Sequence, residues 1–534
     1  MIEYQDVTFQ YGTEPVFEHA TFTVPEGEFC LLTGATGSGK TTLLRTMNGL
    51  VPQFSGGTLA GSITVKGLDV RHTTPAQAAD HIGYVNQDPL AGFVTDDVVD
   101  ELVYTAEQLA IPAHAIRKRL TEIIDLTGLA PLRGRVLSTL SAGQRQRVAI
   151  GAALVAGPSV LILDEPTSAL DPAGADEVLS ILHRLVHDLG ITTVISEHRL
   201  ERVIQYADSG LRLHNGRIQA GSLSDTLTGT DIAPPVVKLA ETAGLRKPDD
   251  TVPVTVRDTR RLSGPLTRAL AGRLPHEPTT PDGTVLASID RLSVTYGTLP
   301  AVTDVGLTVQ RGQSIALTGR NGSGKSSLLW AIQGTRKRAA GTVTINGTDP
   351  TRLKPNKRRD LVGLIPSEPT DLLYHDTVAA ECRSADHDTQ AVKGSCAKIF
   401  RTVLRGDTPP DHTNPRDLSE GQKLALALAV TLTAAPPLLL LDEPTRGLDY
   451  PAKQILADFL HEHTAAGGAV LLASHDVEFI AEYATDVVLL SDGEVVATGE
   501  ARDMISASPM FAPQVAKVLP GWMTVDEVKA TLDE

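Results

Sequence analysis

Gly34-Ala35-Thr36-Gly37-Ser38-Gly39-Lys40-Thr41-Thr42 stands between an apolar run, Glu28–Thr33, and a stretch with helical spacing, Thr41–Leu50. The pattern G-x-x-x-x-G-K-[ST] between a strand and a helix is a phosphate-binding loop. Its glycines let backbone N–H groups turn toward phosphates, and the helix N-terminus adds partial positive charge. Lys40 then reaches the terminal phosphates and Thr41 holds Mg²⁺. An offset of 285 brings a second copy, Gly319-Arg320-Asn321-Gly322-Ser323-Gly324-Lys325-Ser326-Ser327, with Lys325 and Ser326 in the same places.

The repeat runs through the chain. Leu140-Ser-Ala-Gly-Gln144 returns as Leu418-Ser-Glu-Gly-Gln422, Leu161–Asp171 as Leu439–Asp449, and His198 as His475. Ala233-Pro-Pro-Val-Val-Lys238 and Ala512-Pro-Gln-Val-Ala-Lys517 begin matching appendices, each followed by a Thr with an acid three residues on (Thr255/Asp258, Thr524/Glu527), a capping-box start. The expected division is a first domain 1–262 with appendix 233–262, a linker 263–283 without apolar periodicity, and a second domain 284–534 with appendix 512–534. Short β-branched runs alternating with helical spacing predict an α/β fold with a mostly parallel core sheet in each copy. Ile2–Phe9 and Val285–Thr295 read as strands of an antiparallel flap.

At 534 residues the chain is too long for one ordinary domain. Its 48 Lys and Arg against 64 Asp and Glu give a net charge of -16, and aromatics are 4%, which argues against nucleic acid as a partner. Three cysteines, Cys30, Cys382 and Cys396, show no metal-ligand spacing and suit a reducing compartment. The N-terminus reads as no signal peptide. Leu424–Leu441 is apolar, but Pro436 and Pro437 break it, so it reads as a helix followed by a buried strand.

Asp164 and Asp442 end apolar runs, where ligands bind in parallel sheets, and suit Mg²⁺. Glu165 and Glu443 beside them suit a general base or a residue that orients an attacking water. His198 and His475, ending later β-branched runs, can contact the terminal phosphate and that water.

Together these motifs resemble the ABC-transporter ATPase family in both halves of the chain. The LSxGQ segment separates that family from other phosphate-loop NTPases. The resemblance implies two ATP molecules between head-to-tail domains, with a helical subdomain carrying each signature. Ser141, Gly143 and Gln144 would complete the site on Lys325; Ser419, Gly421 and Gln422 would complete the site on Lys40. Tyr11 and Tyr296 match the aromatic that stacks on adenine. Gln87 matches the glutamine that reaches Mg²⁺ and senses the membrane partner, whereas the second copy has Ser367 there. Within the family, Leu44–Gly57, Ser196–Glu201 and the paired appendices are similar to fused energy-coupling-factor (ECF) importer ATPases. That implies a membrane-embedded scaffold protein, a small substrate-binding membrane protein, and peripheral association with the cytoplasmic face. The substrate class would be a vitamin, a vitamin precursor or a transition-metal ion. Sugar-importer and translation-factor ATPases are the alternatives.

Overall fold

The computed structural model describes residues 1–534 except 276–282, 407, 508–511 and 534. It divides into two compact units, Met1–Thr255 and Val256–Glu534.

In the first unit Phe29–Thr33, Val160–Asp164 and Thr192–Ser196 are buried along their whole length. Both faces of the sheet they form are covered, which is why they read as continuous apolar runs rather than alternating ones. The sheet order is Arg217–Gly221, Ser209–His214, Phe29–Thr33, Thr192–Ser196, Val160–Asp164, Ile82–Val85, parallel except for the hairpin of the first two. A separate antiparallel sheet is built on Ile2–Tyr11, Glu14–Val24 and Thr58–Val65. Helices Val98–Gln108, Ala113–Thr127 and Ala142–Val155 pack around their own cluster of Val98, Leu102, Leu120 and Val148, which makes the helical subdomain.

The second unit repeats this plan. Val362–Ile365, Leu438–Asp442, Ala469–Ala473, Ser314–Thr318 and Asp486–Ser491 run parallel, and Glu494–Glu500 closes the edge antiparallel. Val285–Tyr296, Leu299–Gln310 and Ala340–Ile345 form the antiparallel sheet. The apolar run Leu424–Leu441 resolves into the helix Glu420–Leu432 and the strand Leu438–Asp442. Among the described residues no helix is long and apolar enough to cross a membrane.

The structure draws the division differently from the sequence. Helix Val256–Leu262, read as the end of the first appendix, lies in the second unit against helix Gln514–Val518 of the second appendix. The expected linker begins with another helix, Gly264–Ala269, whose Leu266 is buried together with Leu270. That i, i+4 pair in a Pro- and Arg-rich stretch is too short a periodicity to see in sequence. Residues 276–282 of the expected linker lie outside the described residues.

Candidate functional site

Each phosphate-binding loop links the C-terminal end of a buried strand to a helix, Lys40–Met47 or Lys325–Gln333. Lys40 Nζ donates to the carbonyls of Gly34 (2.9 Å) and Ala35 (3.0 Å), and Lys325 Nζ to those of Gly319 (2.7 Å) and Arg320 (3.1 Å). The ammonium is thus held within its own loop. The glycines are required. Gly39 has φ 103°, and a Cβ there would stand 2.3 Å from Val16 Cγ1; on Gly319 it would meet the Leu490 carbonyl at 2.1 Å. The hydroxyls of Ser38 and Ser323 are buried with no hydrogen-bond partner among the described residues. An orphaned hydroxyl in a backbone-lined loop fits a phosphate oxygen.

The acids stand at the ends of the neighbouring strands. Asp164 accepts from Ser196 Oγ at 2.7 Å, and Asp442 accepts from Ser326 Oγ at 3.0 Å. Burial raises the Asp164 carboxyl above the usual carboxylate range and pushes Asp442 up to about 6. A buried carboxyl beside a hydroxyl is the donor set that a hard divalent cation such as Mg²⁺ completes. Glu165 and Glu443 follow, with φ 46° and 50°. Left-handed backbone at a non-glycine residue costs conformational energy, and both units keep it at the same position. The strained turn aims both side chains at the histidines: Glu165 Oε1 to His198 Nε2, 2.8 Å, and Glu443 Oε2 to His475 Nδ1, 2.8 Å. The two units use different ring nitrogens.

The second units of contact differ more. Gln87 Nε2 donates to Glu165 Oε2 at 3.0 Å, so both oxygens of Glu165 are held. Ser367, in the matching place, makes no side-chain hydrogen bond among the described residues, while its neighbour Glu368 forms an ion pair with Arg446 in the turn after Glu443. Glu197, one residue before His198, is buried, accepts from the Thr167 N–H at 2.8 Å and is pushed up to about 7 by burial. The second unit has Ser474 there, and a buried ion pair, Lys453 Nζ to Asp476 Oδ2 at 2.7 Å, lies beside its histidine. Ala175 and Arg199 stand in those two places in the first unit. Sequence reading singled out none of Glu197, Lys453, Asp476 or Arg446. Their only signal was the mismatch between the aligned copies.

Ser141 and Ser419 cap helices Ala142–Val155 and Glu420–Leu432. Gln144 N–H donates to Ser141 Oγ, and Gln144 Oε1 accepts from Ser141 N–H; Ser419 and Gln422 repeat the box. Each serine oxygen accepts from the helix, which leaves its O–H proton free to donate outward. Gly143 and Gly421 lie in the first turns, where a side chain would only reach ordinary contact with Leu170 and Leu448. Tyr11 and Tyr296 end their strands and are 41% and 47% exposed, so both present ring surface. The guanidinium of Arg336 lies 3.6 Å over the Tyr296 ring, and the Tyr296 hydroxyl is 3.2 Å from Ser327 Oγ.

A strand-end acid pair, a histidine on the glutamate and a backbone-lined phosphate loop, present twice, define a phosphate-loop ATPase with two nucleotide-binding units. The comparisons with known proteins name the family. The ABC transporter family model matches residues 17–168 and 302–446. A Streptomyces coelicolor protein provisionally named an ABC transporter ATP-binding protein is 48% identical over the full length of both chains. A Bacillus anthracis protein of the same provisional name is 31% identical over 98% of this chain and 97% of that one. The chain belongs to the ABC transporter ATP-binding family and is an ATPase. The fold is also similar to that in a crystal structure of an archaeal ribosome recycling factor with a ribosomal stalk protein. That match has a TM-score of 0.60 and 19% identity, over 94% of this chain and 91% of that one. At that identity the likeness concerns the fold alone.

Proposed function

We propose that this chain is the ATP-hydrolysing subunit of an energy-coupling-factor type importer for a vitamin, a vitamin precursor or a transition-metal ion. It would act with a membrane-embedded scaffold and a small substrate-binding membrane protein, at the cytoplasmic face of the membrane. The observation that carries a membrane partner is a groove in the first unit, a cavity of about 270 Å³. Pro75, Ala78, Tyr84 and Asn86 line it from the core, and Glu101, Ala149 and Ala153 from the helical subdomain. Asn86 is followed by Gln87, which bonds Glu165. A helix end seated in the groove would therefore bear on the residue that holds the base. The ECF class rests on the sequence likenesses in Leu44–Gly57, Ser196–Glu201 and the appendices.

In this reading Lys40 and Lys325 bind the terminal phosphates, and Ser38 and Ser323 add hydroxyl contacts. Thr41, Asp164 and Gln87 in the first unit, and Ser326 and Asp442 in the second, would hold Mg²⁺, which neutralises phosphate charge when bound. Glu165 and Glu443 orient the water and take its proton; His198 and His475 hold those carboxylates in place. Ser141 and Gly143 serve the second unit's nucleotide, and Ser419 and Gly421 the first's.

The test is MgATP binding and membrane fractionation with and without the co-expressed scaffold protein. Lys40→Ala and Lys325→Ala are each expected to weaken ATP binding, since the ammonium is the main point charge on the phosphates. At physiological salt, where surface charge attraction is screened, the chain is expected in the membrane fraction only with the scaffold. ATP-dependent sedimentation with ribosomes in membrane-free extract would move the chain to the translation-factor class.

A further inference from the structure

The two units differ in charge where they are alike in fold. Residues 335–360 of the second unit carry eight lysines and arginines against two aspartates, a formal +6. Aligned on Gly61/Gly341 and Pro75/Pro355, residues 55–80 of the first unit carry two against two. In a chain of net charge -16, a +6 segment holds its cations together against the overall field.

Three contacts gather these cations on one face. Arg338 pairs with Asp349 at 2.9 Å, which joins the turn bearing Lys337 to the segment bearing Arg352. Arg358 Nε donates to the Pro350 carbonyl at 3.2 Å, which draws helix Pro355–Arg359 onto the same segment. Arg359 reaches Asp388 at 3.6 Å, at the end of helix Val378–Thr389 of the helical subdomain. Lys337, Arg352, Lys354, Lys357 and Arg359 are all exposed. Lys357 pairs with Asp360, but Lys337, Arg352 and Lys354 face no carboxylate partner among the described residues. The matching helix of the first unit, Pro75–Ala78, is uncharged and contributes Pro75 and Ala78 to the groove wall.

We propose that this face of the second unit docks on the anionic headgroups of a lipid bilayer. The inference rests on the reading above that the groove of the first unit receives a membrane partner, carried to the matching side of the second unit by the repeat. A protein partner fits less well, because lysine is depleted from interface cores and residues 335–360 contain no aromatic side chain to anchor one. The same lack of aromatics removes a stacking platform for single-stranded nucleic acid. A cluster of exposed cations with apolar anchors absent is what a phosphate-rich surface attracts, and the attraction weakens with salt.

The test is sedimentation of the full chain with phosphatidylglycerol–phosphatidylcholine vesicles and with phosphatidylcholine alone. Binding is expected only to the anionic vesicles, and only at low salt. Each cation at such a surface is worth about fivefold in partitioning. The triple variant Lys337→Gln, Arg352→Gln, Lys354→Gln breaks no ion pair among the described residues and is expected to lose about a hundredfold. A control of equal net charge, Arg117→Gln, Lys118→Gln, Arg133→Gln, on exposed first-unit positions, is expected to keep most of the binding. No preference for anionic vesicles, or equal loss in both triples, would overturn the proposal. Poly-uridylate binding that the first triple abolishes, with vesicles ignored, would reassign the surface to nucleic acid. MgATP binding measured on the same samples separates the two readings: it is expected unchanged in both triples, and its absence in the parent chain would count against the ATPase assignment and not against the lipid surface.

Discussion

Glu165 is held at both oxygens, by Gln87 and His198, and Glu443 by its histidine with no glutamine beside it. In the proposed function a water oriented by Glu165 would therefore be better fixed than one oriented by Glu443. One weakened hydrogen bond to a charged group is worth roughly 1.5–3 kcal/mol, or about ten- to a hundredfold in rate if it falls on the transition state. Glu165→Gln is expected to abolish most turnover, while Glu443→Gln leaves a measurable fraction, in steady-state ATPase assays with the membrane partner present. Equal losses would mean that the Glu368–Arg446 pair stiffens the second site enough to replace the glutamine, or that the sites fire only together. Arg336 supplies a second asymmetry. Its guanidinium covers a face of Tyr296, the ring that the family resemblance implies for adenine stacking, and a cation–π contact at an exposed site is worth about 0.5–1 kcal/mol. Arg336→Ala is expected to tighten nucleotide binding by the second unit by about two- to fivefold. A fluorescent ATP analogue in a Lys40→Ala background reads it; weaker binding would make Arg336 part of the base site. The motif residues were legible because their geometry admits few substitutes, as the Cβ contacts at Gly39 and Gly319 show. Arg336 over Tyr296 was not legible, since forty residues separate the partners and Arg336 lies in no motif.

The segment from strand to histidine shows the same division at the scale of an element. Thr192–Ser196 and Ala469–Ala473 were visible as apolar runs of strand length. The polar network at their ends was not, because Glu197 bonds Thr167 and Lys453 bonds Asp476 across long stretches of chain. Glu197 has a consequence for pH. Burial lifts its carboxyl from 4.5 to about 7 in the folded chain. Between those values the folded state holds a proton that the unfolded state has released, so the contribution of this group to stability falls as pH rises through that window. Above about pH 7 both states are ionised and the penalty is constant. Glu197→Gln keeps a carbonyl oxygen for the Thr167 N–H and removes the penalty, on the order of 3 kcal/mol. Calorimetry from pH 5 to 8 is expected to show a flatter profile in the variant, and a gain over the parent that is largest at the alkaline end. A constant offset at all pH values would mean that Glu197 is ionised throughout.

At the scale of the whole chain the duplication was plain from sequence, but its seam was not. The appendices were legible as repeats, and the second shows the expected capping box, with Glu527 N–H donating to Thr524 Oγ1 at 3.2 Å. Repetition says nothing about which unit an appendix joins, because that depends on tertiary contacts of a few apolar residues. Val252 and Val254 are buried in the first unit, and from Val256 onward the chain belongs to the second. There Thr259, Leu266 and Leu270 are buried, helix Val256–Leu262 meets helix Gln514–Val518, and the Arg273 guanidinium donates to the Thr531 carbonyl. A fragment that starts at Val256 therefore keeps a closed surface over the second appendix, and one that starts at Thr284 exposes it. Burying a leucine side chain is worth about 1.5–3 kcal/mol, so losing Leu266 and Leu270 together removes roughly 3–6 kcal/mol before any effect on the helices they cover. The 256–534 fragment is expected to unfold in one cooperative step at a denaturant midpoint close to that of the second unit in the full chain. The 284–534 fragment is expected to unfold at a clearly lower midpoint, with its C-terminal helix cut early by protease. Coincident unfolding curves for the two fragments would return residues 263–275 to the role of a linker.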